Sequence, residues 1–263
     1  MPTYNFTSPL YVIPCAGLGN RIRAVVSGMC AAYDLGIELH VLWRNEPYIC
    51  TAPFHTLFDM KSLPPWMKVI DGPIEPNSIW SLGGDILSED AWDEFVEKCQ
   101  CDSRPLCLKS HQAFYNKNDP QWLVFLQMLR VHSSIVNKAT IYGLENSYNI
   151  VGVHIRRTDN KKAIQFSPSN DFWAVMSKYP DDTHFYVSSD SEEERREAER
   201  RFPGRILKGA QLGSRNSPIG CYNAMVDLYC LSRCSQLIGS YYSSFSEIAA
   251  GLGGIPLMVV KTP

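Results

Sequence analysis

The segment His154–Asp159 carries the residue types best suited to chemistry in this chain. It reads His-Ile-Arg-Arg-Thr-Asp and continues an apolar run that starts at Ile150. Such a run predicts a strand covered on both faces, and the carboxyl end of a strand is where α/β sheets place their ligands. Two guanidiniums there would bind a diphosphate and stabilise a departing nucleotide without a metal. A purely structural, ion-paired arginine cluster is the alternative.

Alternation along this strand separates the side chains of the motif. It predicts His154 and Arg156 on one face of the sheet and Arg157 on the other. Asp159 is near enough in sequence to hold one arginine through a paired hydrogen bond.

A second candidate site is the glycine-rich segment Gly17-Leu18-Gly19, which is predicted as a tight loop between a strand and a helix. Such a loop presents backbone N–H groups and the positive end of the helix to a phosphate. Asn20 and Arg21 add an amide and a cation at the same place. The fingerprint of a nicotinamide enzyme would require a third glycine where Ile22 stands, which disfavours that class. A turn without a ligand is the other interpretation.

Further polar residues stand where other strands are predicted to end. Asp190 follows the predicted strand His184–Ser188, and Ser243 and Ser244 lie between a strand and a helix. Their hydroxyls could bond phosphate oxygens or cap the helix. Asp227 lies on an otherwise apolar helix and either pairs structurally or accepts donors from a ligand. Asp190 could hold a divalent ion with a neighbouring glutamate, but the arginines already supply positive charge, so we expect no metal.

Strands and helices alternate along the whole chain, which predicts an α/β fold made of two Rossmann-like halves. We place the halves at residues 1–145 and 146–263. Pro120–Ile135 is predicted as one helix, as is Glu192–Arg201. The second of these is so dense in charge that its ion pairs are expected only at the surface.

Composition excludes several functional classes. The 263 residues are 45% hydrophobic and 20% charged, with a formal net charge of -2, so nucleic acid is not an expected partner. The longest apolar runs fall short of the roughly 18 residues of a membrane span, and the N-terminal residues lack the apolar core of a secretory signal. Nine irregularly spaced cysteines favour free thiols in the cytoplasm, and the cluster at Cys99, Cys101 and Cys107 lacks metal-site spacing.

In their order, these segments resemble a superfamily of inverting fucosyltransferases, which includes the α1,6-, α1,2- and protein O-fucosyltransferases and the nodulation enzyme NodZ. The matching segments are Gly17–Arg21, Val151–Asp159, Phe185–Asp190, Asp227–Ser232 and Ser243–Ser244. The resemblance implies a GT-B fold, in which an acceptor-side domain and a donor-binding domain face a cleft. It also implies metal-independent transfer of fucose from GDP-fucose to a glycan or glycosylated-protein acceptor, with no cofactor.

The resemblance also implies roles for individual residues. Arg156 resembles the arginine that grips the β-phosphate, and Asn20 resembles an asparagine placed near the reaction centre. His154 and Asp227 resemble a guanine-recognising pair. Asp159 resembles the support of that arginine, Ser243 and Ser244 resemble phosphate contacts, and Gly17–Asn20 resembles a loop that closes over the diphosphate. The candidate donor-binding residues from the resemblance and from the residue types together are His154, Asp227, Gly17, Leu18, Gly19, Arg21, Arg157, Asp159, Asp190, Ser243 and Ser244.

One departure from the resemblance concerns the general base. The α1,6 enzymes have a glutamate shortly after the arginine motif, whereas Asn160–Gln165 contains no carboxylate. Asp59 in the first half is a candidate replacement, and the base is left unassigned. The missing carboxylate keeps open a non-catalytic module that binds a guanine nucleotide or a carbohydrate.

Overall fold

The structure is a computed structural model of the chain. It describes residues 8–45, 49–72, 107–143, 149–207, 209–210, 213 and 217–262, together with the backbone of residues 80–81. Cys99 and Cys101, two of the three cysteines considered above as a possible metal site, lie outside the described residues.

The chain folds as two compact units. The first comprises Met1–Arg130 with Arg215–Pro218, and the second comprises Val131–Ser214 with Ile219–Pro263. The division falls earlier in the chain than the predicted boundary at residue 145. The assignment of an acceptor side and a donor side stays a prediction.

The first unit contains a parallel five-stranded sheet. Its strands are β1 (Leu10–Pro14), β2 (Leu39–Trp43), β3 (Met67–Asp71), β4 (Trp80–Ser81) and β5 (Cys107–Ser110), in the order β3-β2-β1-β5-β4. Its helices are α1 (Leu18–Leu35), α2 (Phe54–Leu57) and α3 (Pro120–Met128), with a 3-10 turn at Met60–Ser62. Helix α1 ends at Gly36, as predicted, because the left-handed backbone there (φ 66°) favours glycine.

The second unit contains another parallel five-stranded sheet. Its strands are β6 (Ile150–Ile155), β7 (His184–Ser189), β8 (Ile206–Leu207), β9 (Gln236–Ser240) and β10 (Leu257–Val260), in the order β10-β9-β6-β7-β8. Its helices are α4 (Ser133–Thr140), α5 (Lys161–Phe166), α6 (Ser169–Met176), α7 (Glu192–Arg201), α8 (Pro218–Ser232) and α9 (Ser244–Gly253).

Two predicted helix boundaries need correction. The single helix expected over Pro120–Ile135 is divided into α3 and α4, because the His132 side chain accepts a hydrogen bond from Ser134 N and starts a new helix there. Helix α1 begins at Leu18, so most of the predicted glycine loop forms the first turn of a helix.

Strand β6 is covered on both faces, as predicted. Its residues Val151, Val153 and Ile155 belong to a core with Phe172 and Trp173 of α6. The alternate residues face α8 and α9, since a Cβ added at Gly152 would lie 3.2 Å from a Leu231 methyl group, and His154 bonds Ser246. The strand therefore sends successive side chains to two different helical layers.

Candidate functional site

The site is built where the strand order of the second sheet reverses. The chain runs from β6 to β7 and β8 on one side and then to β9 and β10 on the other. The segments after β6 and β9 therefore leave the sheet in opposite directions, and a crevice for a ligand forms at such a point. Two hydrogen bonds tie these segments together, from Arg156 N to Ser240 Oγ (2.9 Å) and from Asn160 Nδ2 to Tyr242 O (2.8 Å).

Arg156 extends from the end of β6 between two carboxylates. Its Nη1 lies 3.1 Å from Asp190 Oδ2, and its Nη2 bonds Asp159 Oδ1. Asp190 is 14% exposed, whereas Asp159 is 55% exposed. An exposed ion pair contributes little free energy because water screens it. Asp190 is therefore the firm support of Arg156, and the Asp159 contact is the weaker one.

Asp190 also organises the backbone around Arg156. Its Oδ1 accepts the N–H of Arg157 at 2.7 Å, and its Oδ2 accepts the Thr158 hydroxyl at 2.6 Å. These bonds and the ion pair with Arg156 occupy the carboxylate. The structure thus gives Asp190 the contacts of a positioning residue, whereas the sequence predicted a donor contact.

Arg157 points to the opposite face of the sheet, as the alternation predicted, and it is held there by protein groups. Its Nε donates to Ser169 Oγ (3.0 Å) and Glu194 Oε1 (3.1 Å). Its Nη2 donates to Ser167 O (2.7 Å), and its guanidinium lies 5.8 Å from the Phe172 ring centre. Arg157 is not among the side chains brought together at the crevice. The predicted contact of Arg157 with the donor stays a prediction.

His154 connects β6 to the first turn of α9. Its Nδ1 lies 2.8 Å from Ser246 Oγ and 3.5 Å from Ser243 Oγ, and its ring packs on Phe245 at 4.8 Å between centres. The residue is buried. Its predicted contact with guanine stays a prediction.

The N-terminus of α9 opens at the same end of the sheet. Ser243 is the N-cap residue, yet its side chain makes no capping hydrogen bond, so the capping interpretation is not what the structure shows. Ser244 is the first residue of the helix. The first backbone N–H groups of a helix have no partner within it and carry partial positive charge. They suit a phosphate oxygen.

Asp227 is buried in a complete hydrogen-bond network. Its Oδ1 accepts from Tyr186 Oη (2.6 Å) and Ala210 N (2.9 Å), and its Oδ2 accepts from Ser188 Oγ (2.9 Å) and Arg195 Nη2 (2.9 Å). Burial raises the pKa of the Asp227 carboxyl, while Arg195 and the other donors act in the opposite direction. Four donors match the lone-pair positions of a carboxylate, so the Asp227 side chain is held by protein groups. Its predicted contact with guanine stays a prediction.

Helix α7 corrects the prediction that its ion pairs lie only at the surface. Arg195 pairs with buried Asp227, and Glu194 pairs with Arg157, in both cases between largely buried side chains. Glu197, Arg200 and Arg201 form the expected exposed pairs. One face of helix α7 therefore pairs with Arg157 and Asp227, and the other face is solvated.

The first unit places the glycine segment at an equivalent position, where its sheet order reverses between β1 and β5. Gly17 is exposed at the start of α1, Asn20 is half-buried in its first turn, and Leu18 and Gly19 are buried. Gly17, Leu18 and Gly19 stay predicted donor-binding residues, and Asn20 stays a predicted catalytic residue.

Arg21 is fully buried beneath this segment. Its Nε donates to Ala16 O (2.9 Å), its Nη1 donates to Arg44 O (2.8 Å), and the guanidinium lies 4.9 Å from the Trp43 ring centre. Arg21 holds the segment to the end of β2. The predicted donor contact of Arg21 stays a prediction.

Three further residues shape the site. The sequence offered Ser240 only as one of several hydroxyls that could bond phosphate, and it gave no role to Asn160 or Arg195. Ser240 ties β9 to Arg156, Asn160 ties α5 to Tyr242, and Arg195 pairs with Asp227. Ser240 stands in the same hydroxyl-rich run as Ser243, which is a usable signal. Nothing in the sequence distinguishes Arg195 from its charged neighbours.

No group of three or more His, Cys, Asp or Glu side chains in the described part of the chain is arranged to hold a metal ion. None of the helices described is both long enough and apolar enough to cross a membrane. The cytoplasmic location expected from the sequence stays a prediction.

The fold is α/β of the GT-B class, as predicted. Solved structures with this fold include the NodZ α-1,6-fucosyltransferase soaked with GDP-fucose (TM-score 0.63, 17% identity, 93% of each chain covered). The NodZ fucosyltransferase from Bradyrhizobium has a TM-score of 0.62 at 18% identity, with 92% of each chain covered. POFUT1 in complex with GDP has a TM-score of 0.62 at 12% identity, covering 96% of this chain and 98% of its own.

At these identities the likeness establishes the fold, and it bears out the resemblance to fucosyltransferases at that level. No protein-family model matches the chain, and no curated protein matches it in sequence.

Proposed function

We propose that this protein is a metal-independent, inverting glycosyltransferase that transfers fucose from GDP-fucose to a glycan or glycosylated-protein acceptor. The observation that carries the proposal is the placement of Arg156. It stands at the reversal point of a Rossmann-like sheet, and its backbone N–H bonds Ser240, which lies three residues before the N-cap of α9. Supporting it, structures of the same fold were solved with GDP or GDP-fucose.

Leaving-group stabilisation is the chemistry that Arg156 would supply. When the bond between the sugar and the β-phosphate breaks, negative charge grows on the phosphate oxygens. A fixed guanidinium that strengthens its hydrogen bonds as this charge grows lowers the barrier. Asp190 keeps the guanidinium in place beforehand, so no reorganisation is needed during the reaction.

The Asp159 contact can be exchanged for a phosphate. Asp159 is exposed, and its pair with Arg156 is weakly stabilising. A guanidinium has five N–H donors and binds phosphate in a bidentate manner. A diphosphate can therefore replace Asp159 on one edge of Arg156 while Asp190 stays on another.

The general base stays unassigned in this proposal. The candidate Asp59 uses Oδ1 to accept the N–H of Lys61 and caps a 3-10 turn. Proton loss from the acceptor late in the reaction, driven by the departure of GDP, remains compatible with a site built around leaving-group stabilisation.

Titration calorimetry with separate nucleotides tests the donor assignment. We expect binding of GDP and GDP-fucose, weaker binding of GDP-mannose and no binding of UDP-sugars at the same concentrations. Binding of a UDP-sugar in preference to GDP-fucose would contradict the donor assignment, and absence of GDP binding would contradict the whole proposal.

A non-catalytic binding module is the second candidate, and one observation favours it. The segment Lys161–Phe166 forms helix α5 and contains no carboxylate. Such a module would bind GDP-fucose without consuming it. Chromatographic detection of GDP released from GDP-fucose, with and without a panel of glycan acceptors, separates the two candidates.

A further inference from the structure

Tyr242 occupies an unusual position beside the proposed donor site. It is 57% exposed, and its backbone has a φ of 56°. A bulky L-residue in the left-handed region costs free energy, since its Cβ crowds the backbone. Such conformations persist only where surrounding contacts impose them, and they concentrate at functional sites.

Two contacts impose this conformation. The Tyr242 carbonyl oxygen accepts a hydrogen bond from Asn160 Nδ2 at 2.8 Å. Two residues earlier, Ser240 Oγ accepts the backbone N–H of Arg156 at 2.9 Å. The segment after β9 is thus fastened to the segment after β6 on both sides of Tyr241, and the Tyr242 ring is held out into solvent.

Lys162 of α5 completes an exposed pair with this ring. Its Nζ lies 4.4 Å from the centre of the Tyr242 ring. Lys162 follows β6 and Tyr242 follows β9, so the pair is assembled from the two segments that bound the crevice. The ammonium group lies over one face of the ring, and the exposed remainder of the ring offers an apolar surface close to these hydrogen-bond donors. A pyranose ring presents the complementary chemistry, with C–H groups on one face and hydroxyls around its edge.

We propose that Tyr242, supported by Lys162, binds the pyranose ring of the nucleotide-sugar donor. The inference rests on the proposed function and supplies a sugar-contacting residue that the functional assignment lacks. Tyr242 directly precedes Ser243, which starts the helix proposed to receive the diphosphate. Because the sugar is bonded to the β-phosphate and adjacent residues lie about 3.8 Å apart, the sugar would lie within reach of this ring.

Calorimetry with GDP and GDP-fucose on three proteins tests the inference. Tyr242→Asn removes the ring and suits the left-handed backbone, whereas Tyr242→Phe keeps the ring and serves as the matched control. We expect the wild type and the Phe variant to bind GDP-fucose more tightly than GDP. In the Asn variant this preference falls about five- to tenfold, the range expected for one aromatic contact. GDP affinity stays within about twofold in all three, because the nucleotide does not use the ring.

The outcomes separate this inference from the proposed function. Loss of the preference in the Asn variant alone supports the sugar subsite. A full preference in the Asn variant, or an equal loss in the Phe variant, overturns the subsite while the wild type still binds GDP. A wild type that does not bind GDP overturns both the proposed function and the subsite. Thermal unfolding of the three proteins shows whether a lost preference reflects a lost fold.

Discussion

At the scale of residues, the functional proposal depends on the Arg156 guanidinium at the carboxyl end of β6. Arg156→Ala removes the positive charge proposed to receive the leaving diphosphate. We expect the rate of transfer from GDP-fucose to fall at least about a hundredfold, the size seen when one stabilising donor is removed. Arg200, which is 70% exposed and paired with Glu197, is the matched control. Arg200→Ala should keep its rate, and equal rates for the two variants would remove Arg156 from the mechanism.

Asp190 acts in this scheme through Arg156, which a double-mutant cycle can show. Asp190→Ala removes the acceptor of Arg157 N–H and the partner of the Arg156 guanidinium. We expect a loss in kcat with GDP affinity changed by less. Combining the two changes should cost no more than Arg156→Ala alone, because a residue that acts only through Arg156 has no effect once Arg156 is gone. Additive losses would mean that Asp190 has a role separate from Arg156.

Asp227 should prove to be a stability residue. Asp227→Ala leaves Arg195 without the carboxylate in a buried site, and removing one partner of a buried pair costs about 3–5 kcal/mol. Urea denaturation measures this loss in the free energy of unfolding. Asp181→Ala is the control, because Asp181 is fully exposed. A normal stability together with lost GDP affinity would instead support the guanine contact predicted from the sequence.

At the scale of elements, the packing of α9 on β9 depends on a single glycine. A Cβ at Gly239 would lie 2.6 Å from Ser246 Cβ, closer than packed atoms allow. Gly239→Ala should therefore destabilise the protein by about 1–3 kcal/mol through overpacking. It should also displace Ser246 from His154, which it bonds.

Gly17→Ala is the matched control for that steric prediction. No atom lies within 4 Å of a Cβ built at Gly17, and its φ is -68°. We expect a change in the free energy of unfolding below about 1 kcal/mol, the difference between glycine and alanine at a helix N-cap. Thermal unfolding of both variants tests the pair, and equal destabilisation would contradict the role of the β9–α9 contact.

The elements themselves were largely predictable from periodicity. The strand at β6 and the helix Glu192–Arg201 follow directly from hydrophobic and charge patterns. The break between α3 and α4 was missed because a histidine cap competes there with continued helix. The early start of α1 was missed because Gly17 and Gly19 look alike in sequence, although Gly19 packs inside the helix.

The sequence predicts the direction of a site side chain where backbone geometry decides it, but it does not predict the tertiary partners of that side chain. Alternation correctly separated Arg156 from Arg157 across the sheet. Sequence alone could not tell which protein groups bond Arg157, Arg21 and Asp227. Those partners come from segments up to 41 residues away, as for Tyr186 and Asp227. The sequence thus predicts the direction of a charged side chain in a motif more reliably than it predicts the partner of that side chain.

At the scale of the whole molecule, the charge distribution predicts independence from divalent metals. Arg156 and the N-terminus of α9 supply positive charge at the same crevice of the second unit. Transfer from GDP-fucose in EDTA should stay within about twofold of the untreated rate, since no ionic bridge to the diphosphate is needed. A loss that added Mg²⁺ or Mn²⁺ restores would contradict the proposal. GDP release measured by chromatography provides the readout.

The fastened segments after β6 and β9 also affect the thermodynamics of binding. Three bonds made during folding, at Ser240, Asp190 and Asn160, restrict the backbone around Arg156 before any ligand arrives. The conformational entropy of this region is therefore lost on folding, and a nucleotide meets a preorganised receptor. The affinity of the protein for the nucleotide should fall when one of these three hydrogen bonds is removed, even though no atom in contact with the nucleotide has changed.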